Sequence, residues 1–150
     1  MNQIYYDIFG DKMRTFYIFQ IKREMVALTE ELPYNLYKTL EEIYLLDKSK
    51  ISYGKDIMDQ LIIPLNKENY NKAIYQINKD NDFYMKIGDV HSIYNKYRDE
   101  KTTITIKKSH IILQTNSLIK NIKNFLPTNN LFVCDFTNKD YFWLSKLIKL

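Results

Sequence analysis

The stretch that most constrains the fold of this chain spans residues 131–144 and reads LFVCDFTNKDYFWL. Its first four residues form a continuous apolar run, which is typical of a strand buried on both faces of a sheet. Residues 137–140 then have turn chemistry, and residues 141–144 bring four large side chains together. A strand of this kind needs cover on both faces, so we expect the other elements to be arranged around it.

The length and composition indicate one globular domain. A chain of 150 residues can bury one sizeable core, and 45% hydrophobic with 27% charged residues is typical of a folded protein. The single cysteine allows no intramolecular disulfide. No signal peptide is recognisable, and no apolar run approaches the roughly 18 residues of a membrane span, so we expect a cytoplasmic protein.

The hydrophobic pattern predicts alternating strands and helices. Residues 14–21 (RTFYIFQI) indicate a strand in the middle of a covered sheet, and residues 22–32 cross the surface without clear periodicity. Residues 88–99 have helical spacing among polar residues, and residues 48–54 indicate a loop. Further strands are expected at residues 83–87, 102–107, 110–115 and 131–134, and helices at residues 33–46, 55–63, 66–77 and 116–126.

This order of elements predicts an α/β (α+β) fold: a single domain with a central mixed β-sheet flanked by helices. Residues 110–136 have the order strand, helix, strand, which is a crossover if the two strands are parallel. The domain is expected to span residues 13–150, and residues 1–12 are interpreted as an extension ahead of it.

Residues with catalytic or metal-binding chemistry are sparse. His91 and His110 are the only histidines, they fall on different predicted elements, and no glycine-rich loop is present to hold phosphate. Asp135 ends a strand, where it is either an enzyme's acid or the cap of the following turn. The sequence therefore favours a protein that is not an enzyme, with no cofactor and no metal.

Two surfaces are candidates for binding. The chain has 13 Tyr and 8 Phe, and residues 25–37 are apolar without periodicity, so this segment is either an exposed binding surface or a loop folded onto its own hydrophobic side chains. Residues 101–150 carry eight basic and two acidic residues. Their lysines are either a solvated face or an alternative nucleic-acid-binding surface, through Lys107, Lys108, Lys120 and Lys123.

The two ends of the domain resemble a known family. Residues 135–144 (DFTNKDYFWL) are similar to the C-terminal signature of the sporulation inhibitor of replication (SirA) family, and residues 17–24 (YIFQIKRE) look like its opening strand. The resemblance covers about residues 13–147 and is specific only at these ends. Members are understood to inhibit replication initiation by binding the N-terminal domain of the initiator DnaA, partly through the segment after the first strand.

The resemblance implies roles for individual residues. Met25 and Thr29 occupy roughly the places of the family's contacting aromatic residues, although residues 28–34 read LTEELPY where the family usually has a Tyr-Phe-Gly-Arg-Glu-like run. The implied partner is the DnaA N-terminal domain, with no membrane attachment and no direct binding of nucleic acid. The implied partner-binding residues are Met25, Val26, Leu28, Thr29 and Tyr34, and the implied fold-determining signature is Asp135, Phe136, Tyr141 and Trp143.

Overall fold

A computed structural model describes residues 12–127 and 130–149. The helices within these ranges are α1 (Arg23–Thr29), α2 (Tyr34–Tyr44), α3 (Ile51–Leu61) and α4 (Lys67–Asn78), and short 3₁₀ helices span Lys48–Lys50, Ile119–Asn124 and Leu144–Lys149. The strands are β1 (Arg14–Gln20), β2 (Tyr84–Ile87), β3 (Val90–Asn95), β4 (Glu100–Ile106), β5 (Ile111–Thr115), β6 (Leu131–Asp135) and β7 (Asp140–Trp143).

The described strands form one seven-stranded sheet in the order β2-β3-β4-β5-β1-β6-β7, and each neighbouring pair is antiparallel. The first strand lies near the centre, where Ile18 is opposite Ile111 of β5 on one side and Val133 of β6 on the other. The predicted α+β single-domain fold is confirmed.

The prediction of a mixed sheet is wrong, because all neighbouring pairs of described strands are antiparallel. Because β5 and β6 both run antiparallel to β1, they are parallel to each other, as the crossover pattern of residues 110–136 suggested. However, β1 lies between them, so the crossover skips a strand and no parallel pair forms among the described strands. An N-terminal strand inserted between two C-terminal strands leaves no signal in local sequence.

The first face of the sheet carries the larger core. Phe16 and Ile18 of β1 are fully buried there together with inward residues of β4, β5 and β6. Helix α4 covers this core through Ile74, and two 3₁₀ helices cover it through Ile122 and Leu144. The alternation predicted for residues 102–107 is confirmed, since Ile104 and Ile106 are buried and Thr103 and Thr105 are half-buried.

The second face is covered over only part of its width. Helices α2 and α3 place Leu40 and Leu61 against Phe19 of β1 and Phe132 of β6. At the other end of the same face, Ile87 of edge strand β2 is 64% exposed. The covered part and the bare part meet at β1 and β5.

Local chemistry explains where helix α4 begins and how closely α2 and α3 approach each other. The side chain of Asn66 accepts a hydrogen bond from the backbone N–H of Asn69 at 3.0 Å, which confirms the predicted N-cap of α4. Helix α3 packs closely on the end of α2, because a Cβ at Gly54 would lie 2.7 Å from Cδ1 of Leu46. The assignment of residues 48–54 to a loop is wrong, since Lys48–Lys50 form a 3₁₀ helix and residues 51–54 begin α3.

Three other local predictions are corrected by the fold. Residues 22–32, expected as an aperiodic crossing, contain helix α1. Residues 90–95, expected to be helical, form β3, because Gly88 adopts φ +59° in the β2–β3 turn and the inward side chains alternate along the strand. Residues 116–126 form only a 3₁₀ helix at Ile119–Asn124 and not a full α-helix.

None of the described helices is long and apolar enough to cross a membrane. The predicted extension, residues 1–12, lies outside the described residues except for Lys12.

Candidate functional site

Helix α1 begins directly after the first strand and is held at its start by backbone hydrogen bonds. Ile21 forms an antiparallel bridge with Ile62, and the carbonyl of Lys22 accepts from the N–H groups of Met25 and Val26 at 2.9 and 3.0 Å. The bridge ties α1 to the end of α3. A helix of seven residues is marginal alone, so this attachment and its packing stabilise it.

The helix divides its side chains between the core and the solvent. Met25 and Val26 are half-buried and pack against the core of the second face. Thr29 donates its hydroxyl hydrogen to the carbonyl of Met25 at 2.6 Å, which satisfies this hydroxyl within the helix. By contrast, Leu28 is 76% exposed.

The exposed apolar region continues past the end of α1. Leu32 is 78% exposed and Tyr34, the first residue of α2, is 55% exposed. We call these residues and the predicted binding residues the α1 surface: Met25, Val26, Leu28, Thr29, Leu32 and Tyr34. Leu32 lies within the candidate segment 25–37 but is not among the implied partner-binding residues, although its place between acidic Glu31 and Pro33 was a signal that could have identified it.

Tyr34 is positioned by the C-terminal signature. Its ring centroid lies 6.4 Å from that of Tyr141, and the Tyr141 ring stacks on Tyr37 of α2 at 4.5 Å and 20°. One of the signature residues therefore contacts the beginning of α2, directly beside the α1 surface. The two ends of the domain that carry the family resemblance are adjacent in space.

Behind this stack, the buried carboxylate of Glu41 is surrounded by hydrogen-bond donors. Glu41 accepts from the hydroxyl of Tyr37 at 2.8 Å and from Nζ of Lys38 at 2.8 Å, and Nζ of Lys139 lies 3.5 Å away. The hydrogen bonds from Lys38 and then Tyr37 lower the pKa of Glu41 to about 2. Burial, followed by the hydrogen bond to Glu41, raises the pKa of Tyr37. Glu41 is therefore ionised and Tyr37 protonated at neutral pH.

The carboxylate of Asp135 is buried and accepts three hydrogen bonds. It accepts from Nε of Arg14 at 2.9 Å, and from the backbone N–H and side-chain amide of Asn138 at 3.1 and 2.7 Å. Nη2 of Arg14 also donates to Asp140 at 3.2 Å. This geometry matches the turn-cap interpretation of Asp135, with an added ion pair to the first strand that sequence reasoning missed.

The remaining signature residues pack in the core of the second face. Phe136 stacks on Tyr44 of α2 at 4.5 Å and 18°, and Trp143 meets Phe132 edge-on at 4.9 Å. Trp143 is 5% exposed, and its indole Nε1 has no hydrogen-bond partner among the described residues. These side chains contact the protein itself and leave little surface for a partner.

The histidines and the cysteine are separated in the fold. His91 is fully buried between the hydroxyl of Tyr84 at 2.7 Å and Oδ1 of Asn71 at 2.8 Å, while His110 contacts the hydroxyl of Ser109 at 2.8 Å. Burial lowers the pKa of both histidines and raises that of the Cys134 thiol. Across residues 12–127 and 130–149, no group of three or more His, Cys, Asp or Glu is placed to hold a metal ion.

The lysines of the alternative nucleic-acid surface lie on two different elements. Lys107 and Lys108 are in the turn between β4 and β5, and Lys120 and Lys123 are on the 3₁₀ helix that follows the other end of β5. The helix that carries the second pair also covers the core of the first face through Ile122. The four lysines are therefore not carried by one contiguous element.

No known family model matches this sequence, and no curated protein matches it. An inference about function therefore depends on the surfaces described above and on the resemblance at the two ends of the domain.

Proposed function

We propose that this protein is a non-enzymatic regulator that binds the N-terminal domain of the replication initiator DnaA in the cytoplasm and inhibits initiation of chromosome replication. The observation that carries the proposal is the α1 surface, where Leu28, Leu32 and Tyr34 are exposed within seven residues. Contiguous exposed apolar side chains mark interaction surfaces. This surface lies directly after the first strand. In the family that the chain resembles, the segment after the first strand is understood to form part of the contact with the partner.

The chemistry of the α1 surface suits a small protein interface. Tyr34 offers a rigid aromatic area with one hydroxyl, the kind of side chain that dominates binding energy. Glu24, Glu30 and Glu31 are exposed around the apolar residues, so they would form an acidic rim. An interface of about 1,200–1,600 Å² in total would suffice. Occupying that area of the initiator would block the contacts that it needs for self-assembly.

Calorimetric titration of the initiator's N-terminal domain into the full chain tests this function. We expect saturable binding that Leu28→Asp weakens about tenfold or more, because a buried leucine contact is replaced by a desolvated charge. The matched control is Ile87→Asp, which changes another exposed apolar residue, on edge strand β2. No heat and no chemical-shift change at tens of micromolar would reject the proposal.

The nucleic-acid alternative makes a different prediction in the same apparatus. Affinity through Lys107, Lys108, Lys120 and Lys123 would fall steeply with salt, with a log–log slope of about −0.7 to −0.9 per neutralised phosphate. Binding to the initiator through the α1 surface is expected to depend only weakly on salt, since its centre is apolar.

A further inference from the structure

A cavity of about 640 Å³ lies between the second face of the sheet and helices α2 and α3. Its walls are mainly aromatic and aliphatic, and they come from elements far apart in the chain. The main contributors are Tyr17 and Phe19 of β1, Ile43 and Tyr44 of α2, Met58 of α3, and Phe136. This volume and lining are typical of sites for small organic ligands.

One rim of the cavity is polar and carries unpaired positive charge. Lys55 of α3 and Lys108 of the β4–β5 turn both line it, and neither forms a salt bridge within the described part of the chain. Asp59 also lines it, one helical turn after Lys55, and offsets one of the two cations. The two lysines and one aspartate give this rim a net charge of about +1.

His110 lines the same rim, two residues after Lys108, and a neutral imidazole has one hydrogen-bond donor. Its ring lies 5.7 Å from the rings of both Tyr17 and Phe19, inside the aromatic wall. Burial, followed by the charge of Lys107, lowers the pKa of His110, so the ring is neutral at pH 7.5. When the Ser109 hydroxyl donates to Nδ1, the ring hydrogen is on Nε2, which has no hydrogen-bond partner among the described residues.

We propose that this cavity binds an amphipathic monocarboxylic acid, with its hydrocarbon part among the aromatic walls and its carboxylate at Lys108 and Nε2–H of His110. A net charge of about +1 and one neutral donor match the charge and the two acceptor oxygens of a single carboxylate. The apolar walls account for the hydrocarbon part, since removing CH₂ groups from water is favourable. An alcohol of equal length would lack the charge, and acetate would lack the chain.

The proposed ligand site is separate from the α1 surface. The cavity lies at the C-terminal end of α2, around Ile43 and Tyr44, whereas Tyr34 of the α1 surface is at the N-terminal end of that helix. Failure of one proposal therefore leaves the other standing.

The experiment is a titration of the full chain with decanoate at pH 7.5, below its micelle concentration, followed by calorimetry and by backbone amide chemical shifts. We expect saturable binding, shifts concentrated at residues 17–19, 43–46, 54–58 and 108–110, and binding by decanol at least about tenfold weaker. Equal or tighter binding of decanol, or shifts elsewhere in the molecule, would overturn the proposal.

A charge-reversed pair of variants tests the anchor. Lys108→Glu is expected to weaken decanoate binding about tenfold, the factor for a lost charge-assisted hydrogen bond. Lys101→Glu makes the same change at an exposed lysine of β4 that does not line the cavity, and is expected to bind normally. Equal effects of the two variants would indicate only long-range attraction and reject the site.

An exposed apolar position provides a second test that avoids the core. Ile51 lines the cavity, is 60% exposed, and is the first residue of α3, where an acidic residue is favourable. Ile51→Asp should therefore fold normally while repelling the carboxylate and weakening decanoate binding. An unchanged affinity in this variant would contradict the placement of the ligand.

Discussion

At the scale of single residues, the buried carboxylate of Glu41 is the group around which the side chains behind the α1 surface are arranged. Glu41 is 5% exposed and receives the Tyr37 hydroxyl and two lysines, of which Lys38 is half-buried and Lys139 is largely in solvent. A carboxylate held in this way is stabilised only while it is ionised. Its environment therefore makes the stability of the fold depend on pH.

Acidification should weaken the fold through Glu41. The pKa of this carboxyl is about 2 in the folded chain against 4.5 ordinarily, so the unfolded chain binds more protons between these values. The contribution of Glu41 is complete above about pH 4.5 and is lost as the pH falls toward 2. Urea unfolding at several pH values should show a shallower acid slope for Glu41→Gln than for the native chain.

The neighbouring residue provides the control for this measurement. Glu42 is exposed and accepts no hydrogen bond in the described structure, so Glu42→Gln should leave the acid slope unchanged. An identical slope in the native chain and in Glu41→Gln would show that the carboxylate is not held by its donors.

Trp143 is the second residue whose role can be measured directly. Trp143 lies on β7, and its buried ring contacts Phe132 of β6. Trp143→Ala should therefore lower the free energy of unfolding by roughly 3–5 kcal/mol. Trp143→Phe keeps an aromatic ring and removes an indole N–H without a described partner, so it should cost less than half as much. Chemical denaturation of both variants checks this order, and a small loss for Trp143→Ala would contradict the burial.

At the scale of elements, α1 is the helix that depends most on its neighbours. It has seven residues and no side-chain cap, and its half-buried residues Met25 and Val26 attach it to the core. Substitutions on its two sides should therefore have different consequences, which separates packing from binding.

Met25→Asp should detach α1, while Leu28→Asp should leave it in place. Burying an unpaired carboxylate against the core is unfavourable, whereas Leu28 is already in solvent. Amide hydrogen exchange should show lost protection in residues 25–30 of Met25→Asp, with β1 still protected. Equal protection in both variants would mean that Met25 does not anchor the helix and is available to a partner.

The elements also show which parts of the fold could be predicted from the sequence pattern. The pattern predicted α2 and α4 from a helical period with clear ends, and β1 and β6 from their apolar residues on both faces. It misjudged β3, whose Val90 and Tyr94 lie on the bare face of the sheet and so add apolar residues on both sides. The α1 surface could be predicted because its residues are consecutive in sequence. The cavity could not, since its walls meet only after tertiary packing.

At the scale of the whole molecule, the beginning and the end of the domain are joined by a buried ion pair. Arg14 and Asp135 are 121 positions apart, and both side chains are at most 5% exposed. Removing one partner leaves the other charge buried, so Asp135→Asn should lower the free energy of unfolding by roughly 3–5 kcal/mol. Cooperative loss of stability in thermal and chemical unfolding is expected, and a change confined to the β6–β7 turn would contradict it.

The position of β1 in the sheet constrains the order in which the strands can pair while the chain is being synthesised. Its two hydrogen-bonding neighbours are residues 111–115 and 131–135, both made by the ribosome long after it. Until then this apolar strand has no edge to pair with, and contacts between such distant segments form slowly. Of the described strands, the first to be synthesised is therefore among the last to gain its native neighbours.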